Sequence, residues 1–347
     1  MRKSLLAILT IFIVGCSTIQ ITEETTSTTP NIENGIDVFF SDPTLITGGD
    51  YNYGPEMFLV DAIQAARVSI DIAVYRMNLW DLRNAIINAH QSGVVVRMVT
   101  DSDSINDEVV KQIQESGIKV IGDERESLMH NKFVVIDRQD VWTGSMNFTV
   151  GSAYYDNNNL IHIHSQEVAL DYVTEFDEMF NLEMFGDNVI ASTPNPLVNL
   201  GGSLVEVYFS PDDNVDEHII NIIEQGQENI IFMAYSFTSN SIGEAILEKF
   251  YEGVNVSGVM DSNQAVTNQG TNYDSFVEAG ISVMLDENSG LMHHKVIIVD
   301  NKIVITGSYN FSNSAENKND ENLLIIHDPG IADLYKAEYL KLISLNK

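Results

Sequence analysis

Two short stretches of this chain carry residue types that together can handle phosphorus. One opens at His130-Asn131-Lys132 and the other at His293-His294-Lys295, and both satisfy H-x-K-x(4)-D-x(6)-G-S-x-N without a gap. The shared positions are Asp137 and Asp300, Gly144 and Gly307, Ser145 and Ser308, and Asn147 and Asn310. An imidazole titrates near neutrality, so one ring can be neutral and nucleophilic while the other is protonated and donates to a leaving alcohol. Ammonium, hydroxyl and amide donors stabilise charge on non-bridging phosphate oxygens. His130 and Lys132 stand two apart on an apolar, strand-like run and emerge on one face, as do His293 and Lys295. Ser145 with Asn147, and Ser308 with Asn310, share a face in the same way and are expected to bind phosphate, while Gly144 and Gly307 permit close backbone approach. Asp137 and Asp300 fall an odd number of residues beyond the lysines, toward the opposite face of a regular strand, which marks them as structural. A satisfied core histidine explains any one of these rings, but not two with matched Lys, Ser and Asn.

The elements that must position these groups are themselves repeated. VFFSDP at 38 to 43 answers VYFSPD at 207 to 212, SIDIAVY at 69 to 75 answers NIIFMAY at 229 to 235, and GVVVRMVTDS at 93 to 102 answers GVNVSGVMDS at 253 to 262. Each half thus repeats one supersecondary plan. Short β-rich runs (68 to 75, 94 to 100) alternate with helix-like stretches (55 to 66, 80 to 91), which implies an α/β layered domain with helices on both faces of a sheet. Pro194, Pro196, Gly201 and Gly202 mark a linker. The expected organisation is a first domain over 36–190, a linker over 191–203 and a second domain over 204–347.

With these residues in view, the two motifs resemble the HKD motifs of the phospholipase D superfamily, and the resemblance covers about 300 residues because the flanking repeats match the family's domain as well. It implies two tandem α/β/α repeats forming a pseudo-twofold pseudodimer, with one active site between them. It implies a covalent phosphohistidine released by water or another alcohol, with His130, Lys132, His293 and Lys295 catalytic. Neither metal nor cofactor enters that scheme. Family members carry an acidic residue downstream that orients a catalytic histidine; Glu321, 28 residues after His293, fits, whereas the equivalent after His130 is Asn158. A carboxylate raises imidazole basicity and an amide fixes orientation only. The histidine touching Glu321 is therefore expected to be the more basic and to carry the proton, while the resemblance points to His130 as nucleophile.

The N-terminal sequence MRKSLLAILTIFIVGC has Arg2 and Lys3 ahead of an apolar run too short to span a bilayer. Residues 1–15 read as a signal peptide, and Ile13 to Cys16 resemble the lipobox of bacterial lipoproteins, with Cys16, the single cysteine, as the acylated residue. Residues 16–35, rich in Thr, Ser and Glu, form a tether of about 25 Å mean span if they behave as a flexible coil. These features place the protein outside the cytoplasm, on a cell-envelope membrane.

Lys and Arg number 18 against 50 Asp and Glu, a formal charge of −32, which opposes broad binding to a nucleic-acid backbone. A phospholipid is accordingly the expected substrate, with phosphatidic acid and a head-group alcohol as products; a metal-independent endonuclease is the alternative, and a non-catalytic surface module fits poorly with two intact motifs. One chain holds both half-sites, so no protein partner is required. Other signals carry less. Asp101 of the DSDS run recurs as Asp261 and reads as a strand-end turn. His162 and His164 lack a third ligand and read as exposed strand residues. His294 is expected to point away from its neighbours, and Tyr75 and Tyr235 to sit in the core.

Overall fold

The computed structural model describes residues 35–46, 51, 53–189 and 191–345. Cys16, the expected signal peptide and most of the expected tether lie outside the described residues. Residues 32–347 form one compact unit.

Among the described residues the fifteen strands in chain order are β1 (Ile36–Phe40), β2 (Ser69–Val74), β3 (Val95–Thr100), β4 (Lys119–Gly122), β5 (Lys132–Ile136), β6 (Asp140–Gly144), β7 (Asn159–His164), β8 (Leu197–Leu200), β9 (Ser203–Ser210), β10 (Asn229–Ala234), β11 (Asn255–Asp261), β12 (Ser282–Asp286), β13 (Lys295–Val299), β14 (Ile303–Gly307) and β15 (Glu321–His327). The first sheet runs β1-β7-β6-β5-β2-β3-β4, and the second, read in the matching direction, runs β8-β9-β15-β14-β13-β10-β11-β12. Apart from the added β8, the orders superimpose strand for strand. In each sheet three strands are parallel (β2-β3-β4 and β10-β11-β12) and the HKD strands pair antiparallel with the first of them, Lys132 opposite Val74 and Lys295 opposite Ala234.

Helices cover both faces. On the outer face of the first sheet lie α1 (Glu56–Ala65), α2 (Trp80–Gln91) and α3 (Glu108–Glu115), with the short α4 (Val150–Tyr154) before β7; α5 (Gln166–Leu182) crosses the inner face. The second half repeats this with α6 (Val215–Gln225), α7 (Asn240–Tyr251), α8 (Ser262–Thr267), α9 (Tyr273–Ala279), α10 (Asn313–Asn317) and α11 (Pro329–Leu345). Being covered on both sides explains why KFVVI of β5 and KVIIV of β13 are apolar at every position after the leading lysine and buried throughout. One apolar core joins the two inner faces through Tyr172 and Phe176 of α5 and Tyr335 and Tyr339 of α11. Ser165 starts α5 by accepting from the Val168 N–H, and each core side chain it then buries contributes about 1.5–3 kcal/mol. Truncating Phe176 to Ala would cost about 3–5 kcal/mol.

The two tandem α/β repeats are thus as the sequence implies, but the 191–203 stretch is not wholly a linker. Leu197–Leu200 is β8, hydrogen-bonded to β9 through a tight turn at Gly201 and Gly202, both with positive φ (58° and 101°). Asp137 and Asp300 also depart from the regular-strand expectation. They lie past the ends of β5 and β13 in the left-handed region (φ 53° for each) and cap the start of β2 and β10. Asp137 accepts from the N–H groups of Arg67, Val68 and Ser69, and Asp300 from those of Gln227, Glu228 and Asn229.

Candidate active site

The catalytic candidates gather where the two halves meet, at the sheet ends formed by the start of β5 and β13 and the finish of β2 and β10. Two parallel bridges stitch the halves together there. The His130 N–H donates to the Asp320 carbonyl oxygen (3.0 Å) and the Asp320 N–H to that of Leu128 (3.0 Å); the His293 N–H donates to that of Asn157 (2.9 Å) and the Asn157 N–H to that of Leu291 (2.7 Å). Each histidine backbone is therefore held by the opposite half. Asp101 and Asp261, at the ends of β3 and β11, brace the same segments by accepting from the Met129 and Met292 N–H groups (3.2 Å each).

The rings cross over in the same sense. His130 Nδ1 meets Glu321 Oε2 at 2.7 Å, and His293 Nδ1 meets Asn158 Oδ1 at 2.8 Å. The Asn158 amide donates its Nδ2 to the Ser152 carbonyl, which fixes its oxygen toward His293. In both pairs Nδ1 carries the proton, leaving each Nε2 as the nitrogen available for chemistry. The rings are 6% and 5% exposed, so a substrate must reach down to them.

Lys132 Nζ donates to the His130 carbonyl (2.6 Å) and Lys295 Nζ to the His293 carbonyl (2.9 Å). Burial pushes Lys132 down to about 7 and Lys295 well below its ordinary range, with the other lysine adding repulsion at Lys295. Burial, followed by the two lysines, likewise holds His130 and His293 well below the ordinary imidazole range. The basicity that Glu321 was expected to confer on its ring is outweighed, and Glu321 itself is pushed up to about 7 by burial. At rest the site holds neutral rings beside two lysines whose charged forms burial disfavours; a bound phosphodiester anion favours the charged lysines and makes both rings easier to protonate.

The plan shared by the two motifs has a visible purpose in the backbone. Gly144 (φ 134°) and Gly307 (φ 147°) lie against the carbonyl oxygens of Asn159 and Asn322, where a β-carbon would collide. The serines take a role other than the expected one. Ser145 and Ser308 are fully buried; Ser145 Oγ donates to Asn158 Oδ1 (2.9 Å) and Ser308 Oγ to Glu321 Oε2 (2.7 Å), so both hydroxyls hold the groups behind the histidines and leave no proton for a phosphate. Asn147 and Asn310 are different. Their buried amide oxygens have no hydrogen-bond partner among the described residues.

Residues 59–180 and again 219–343 match the family described as cardiolipin synthase, PLD-like domain. The chain belongs to the phospholipase D superfamily. It is 31% identical to a phospholipase D of Rickettsia bellii over 176 residues, which span 49% of this chain and 83% of that protein. It is 34% identical to a mitochondrial cardiolipin hydrolase of Chlamydomonas reinhardtii over 33% of this chain and 50% of that protein. A phosphatidylserine synthase of Haemophilus influenzae shares the fold over 90% of this chain and 86% of its own, at a TM-score of 0.63 and 14% identity. As a member of this superfamily the protein is a phosphodiester hydrolase.

Several residues of this site escape a linear reading. Tyr75 and Tyr235 are half-buried at the cleft and not in the core, tilted against His130 and His293 at ring separations of 5.0 and 4.7 Å, with Lys132 and Lys295 over their faces. Burial raises both phenols, which stay neutral donors. Their exact recurrence in the repeat was the available signal. Asn322 and Asn159 cross the interface too: Asn322 donates to Asn131 (2.9 Å), and Asn159 Nδ2 lies 3.2 Å from His294 Nδ1. His294 is turned away from the cleft and fully buried, facing Glu338 of α11. His162 is not an exposed strand residue: it stacks on Trp142 and bonds Asp37 and Asp140, while His164 is exposed and shares Asp140. Among the described residues no group of three or more His, Cys, Asp or Glu is arranged to hold a metal ion.

Proposed function

We propose that this enzyme hydrolyses phospholipids in the manner of a phospholipase D, giving phosphatidic acid and the free head-group alcohol through a phosphohistidine on His130. The observation that carries the reading is the unequal backing of the two rings, Glu321 behind His130 and Asn158 behind His293.

The expectation that the Glu321 partner carries the proton and the expectation that His130 attacks fall on the same ring, and charge flow chooses between them. When Nε2 of a neutral imidazole attacks phosphorus, positive charge grows on that ring. When a protonated imidazole gives up its Nε2 proton, positive charge leaves. A carboxylate stabilises the first event and opposes the second. Glu321 thus favours His130 as nucleophile, and the neutral Asn158 favours His293 as acid. His130 Nε2 bonds to phosphorus as the P–O bond to the head group breaks and the His293 proton passes to the departing oxygen. Water then attacks, His293 recovers the proton, and the P–N bond breaks. An alcohol in place of water yields transfer. Lys132, Lys295, Asn147 and Asn310 face the non-bridging oxygens.

The lipid assignment is supported by the relatives named phospholipase D and cardiolipin hydrolase and by the charge of −32, which disfavours a polyanion. Acylation of Cys16 would keep the enzyme on an extracytoplasmic membrane surface, beside such a substrate. The test is to incubate the full chain, in chelator, with mixed phospholipid vesicles and with single-stranded and duplex DNA. Phosphatidic acid release is expected, and cleavage of DNA with lipids untouched would replace this reading with the endonuclease one.

A further inference from the structure

The two lips of the cleft are built on one hydrogen-bond pattern but present different side chains. His130 and His293 are 163 positions apart, and the same offset relates Leu128 to Leu291, Arg125 to Asn288, Asn319 to Asp156 and Lys318 to Tyr155. The pattern is kept at each pair. The Leu128 N–H donates to Asn319 Oδ1 (3.2 Å) and the Leu291 N–H to Asp156 Oδ1 (2.9 Å); Arg125 donates to the Lys318 carbonyl (3.2 Å) and Asn288 to the Tyr155 carbonyl (3.0 Å). What projects outward is not kept. Where one lip has Arg125, Glu126 and Lys318, the other has Asn288, Ser289 and Tyr155 (42% exposed), with the exposed Glu287 nearby; Leu291 (36%) is more exposed than its equivalent Leu128.

More aromatic surface adjoins that second lip. The Tyr51 and Tyr155 phenols bond each other at 2.9 Å, the Tyr51 ring packs edge-on to Tyr154, and Tyr51 is 42% exposed. This cluster sits immediately beside the chemistry, because Leu291 is bonded to Asn157, and Asn157 to the His293 backbone. Holding the loop needs only Asn288, Asp156 and main-chain groups, so the scaffold does not explain exposed tyrosine and leucine side chains.

We propose that Tyr51, Tyr155 and Leu291 form a lip that enters the interfacial zone of a phospholipid bilayer and delivers the substrate to the histidines. This rests on the phospholipid reading above. Two physical facts support it. First, rings 5–6% exposed cannot reach a phosphodiester in a membrane unless the cleft mouth itself meets the head groups. Second, tyrosine suits that zone, with an apolar ring and a phenol that stays wet, and Tyr51, Tyr155 and Leu291 add no charge of their own to the repulsion that a protein of charge −32 meets at an anionic surface. The charged lip then faces the head-group side.

Depth of insertion can be read without any catalysis. In full-length Tyr155→Trp, vesicles whose acyl chains are brominated should quench the added emission well beyond the quenching of the parent protein. In Tyr251→Trp, an exposed position at the far end of α7 from the cleft, added emission should be unquenched. Equal quenching at both positions, or none at Tyr155→Trp, overturns the proposal. Kinetics supply the second arm. Tyr155→Ser with Leu291→Ser should lower vesicle hydrolysis about tenfold while leaving hydrolysis of a short-chain, monomerically dispersed phospholipid within about twofold. Equal loss on both substrates would make the lip structural and overturn the proposal. If the wild type cleaves no lipid, the substrate assignment has failed, and the quenching result still decides the docking surface.

Discussion

The first and second halves of this enzyme share almost every scaffold contact and differ in one atom type behind the reacting ring. Strand order, the capping aspartates, the positive-φ glycines, the buried serines and the bridges around each histidine recur. Behind His130 stands a carboxylate, and behind His293 an amide. Because each of these comes from the opposite half, neither half is a complete site, and a symmetric backbone carries an asymmetric reaction. Duplication supplies the geometry; in the proposed mechanism the Glu321/Asn158 difference supplies the division of labour.

The largest effect should come from the rings themselves. His130→Asn and His293→Asn should each lower kcat by at least about 10³-fold on a natural phospholipid, measured as phosphatidic acid release. They should part company on a phosphodiester with a nitrophenolate leaving group, which departs without a proton. There His293→Asn should recover much of its rate and His130→Asn none, with label trapped on His130 in the active protein. Recovery by His130→Asn, or trapping on His293, would reverse the roles.

The next test erases the difference between halves. Glu321→Gln makes both rings amide-backed and should cost about 10²-fold in kcat. Asn158→Asp makes both carboxylate-backed and should cost less, about tenfold, by strengthening the hold of His293 on its proton. The pH profile of kcat/KM sharpens this. Glu321 is raised to about 7, and the reaction needs it ionised, so activity should climb as pH rises through that value; Lys132 lies near 7 and is needed protonated, so activity should fall above it. Glu321→Gln should lose the acidic limb and keep the alkaline one. Stability runs the other way on the same group: a raised carboxyl pKa favours the fold below about 4.5 and withdraws that support as pH climbs to about 7. The wild-type Tm should therefore decline across this interval more than that of Glu321→Gln.

What could be read from the chain divides along physical lines. The HKD residues and Glu321 were legible because their chemistry lies in residue type and spacing, and because a second copy appears in register. The sheets were legible in outline, since KFVVI and KVIIV announce strands covered on both faces. The serines were not, because Ser145 and Ser308 turn inward to partners 13 residues on, and spacing cannot distinguish a hydroxyl facing substrate from one facing a neighbour. Tyr75 and Tyr235 were read as core, since a strand end does not reveal that the opposing half leaves a cleft beside it. Strand β8 did have a local signal: the Gly201-Gly202 pair between the runs LVNL and SLVEVYFS makes a tight hairpin, but the nearby prolines read as a linker.

The smallest effects should fall where the halves are alike. Asp137 and Asp300 each accept three backbone N–H groups in a turn with φ 53°, and neither faces the cleft. Ala at either position leaves those donors to water or to nothing and should cost about 1–3 kcal/mol, seen as a Tm drop of a few degrees, with kcat on phospholipid within about threefold. At Asp300 burial pushes the carboxyl up, but the N–H groups of Glu228, Asn229 and Gln227 outweigh it and hold it below its usual range. That contribution is present above the unfolded carboxyl pKa and is lost as pH falls through the lower folded value, so the gap in Tm between wild type and Asp300→Ala should narrow in acid. Matched losses for Asp137→Ala and Asp300→Ala would show that the repeat is energetically as well as geometrically symmetric in its scaffold. A loss of activity at one position alone would mean that the capping turn helps position Lys132 or Lys295, and the division between symmetric frame and asymmetric chemistry would have to be redrawn there.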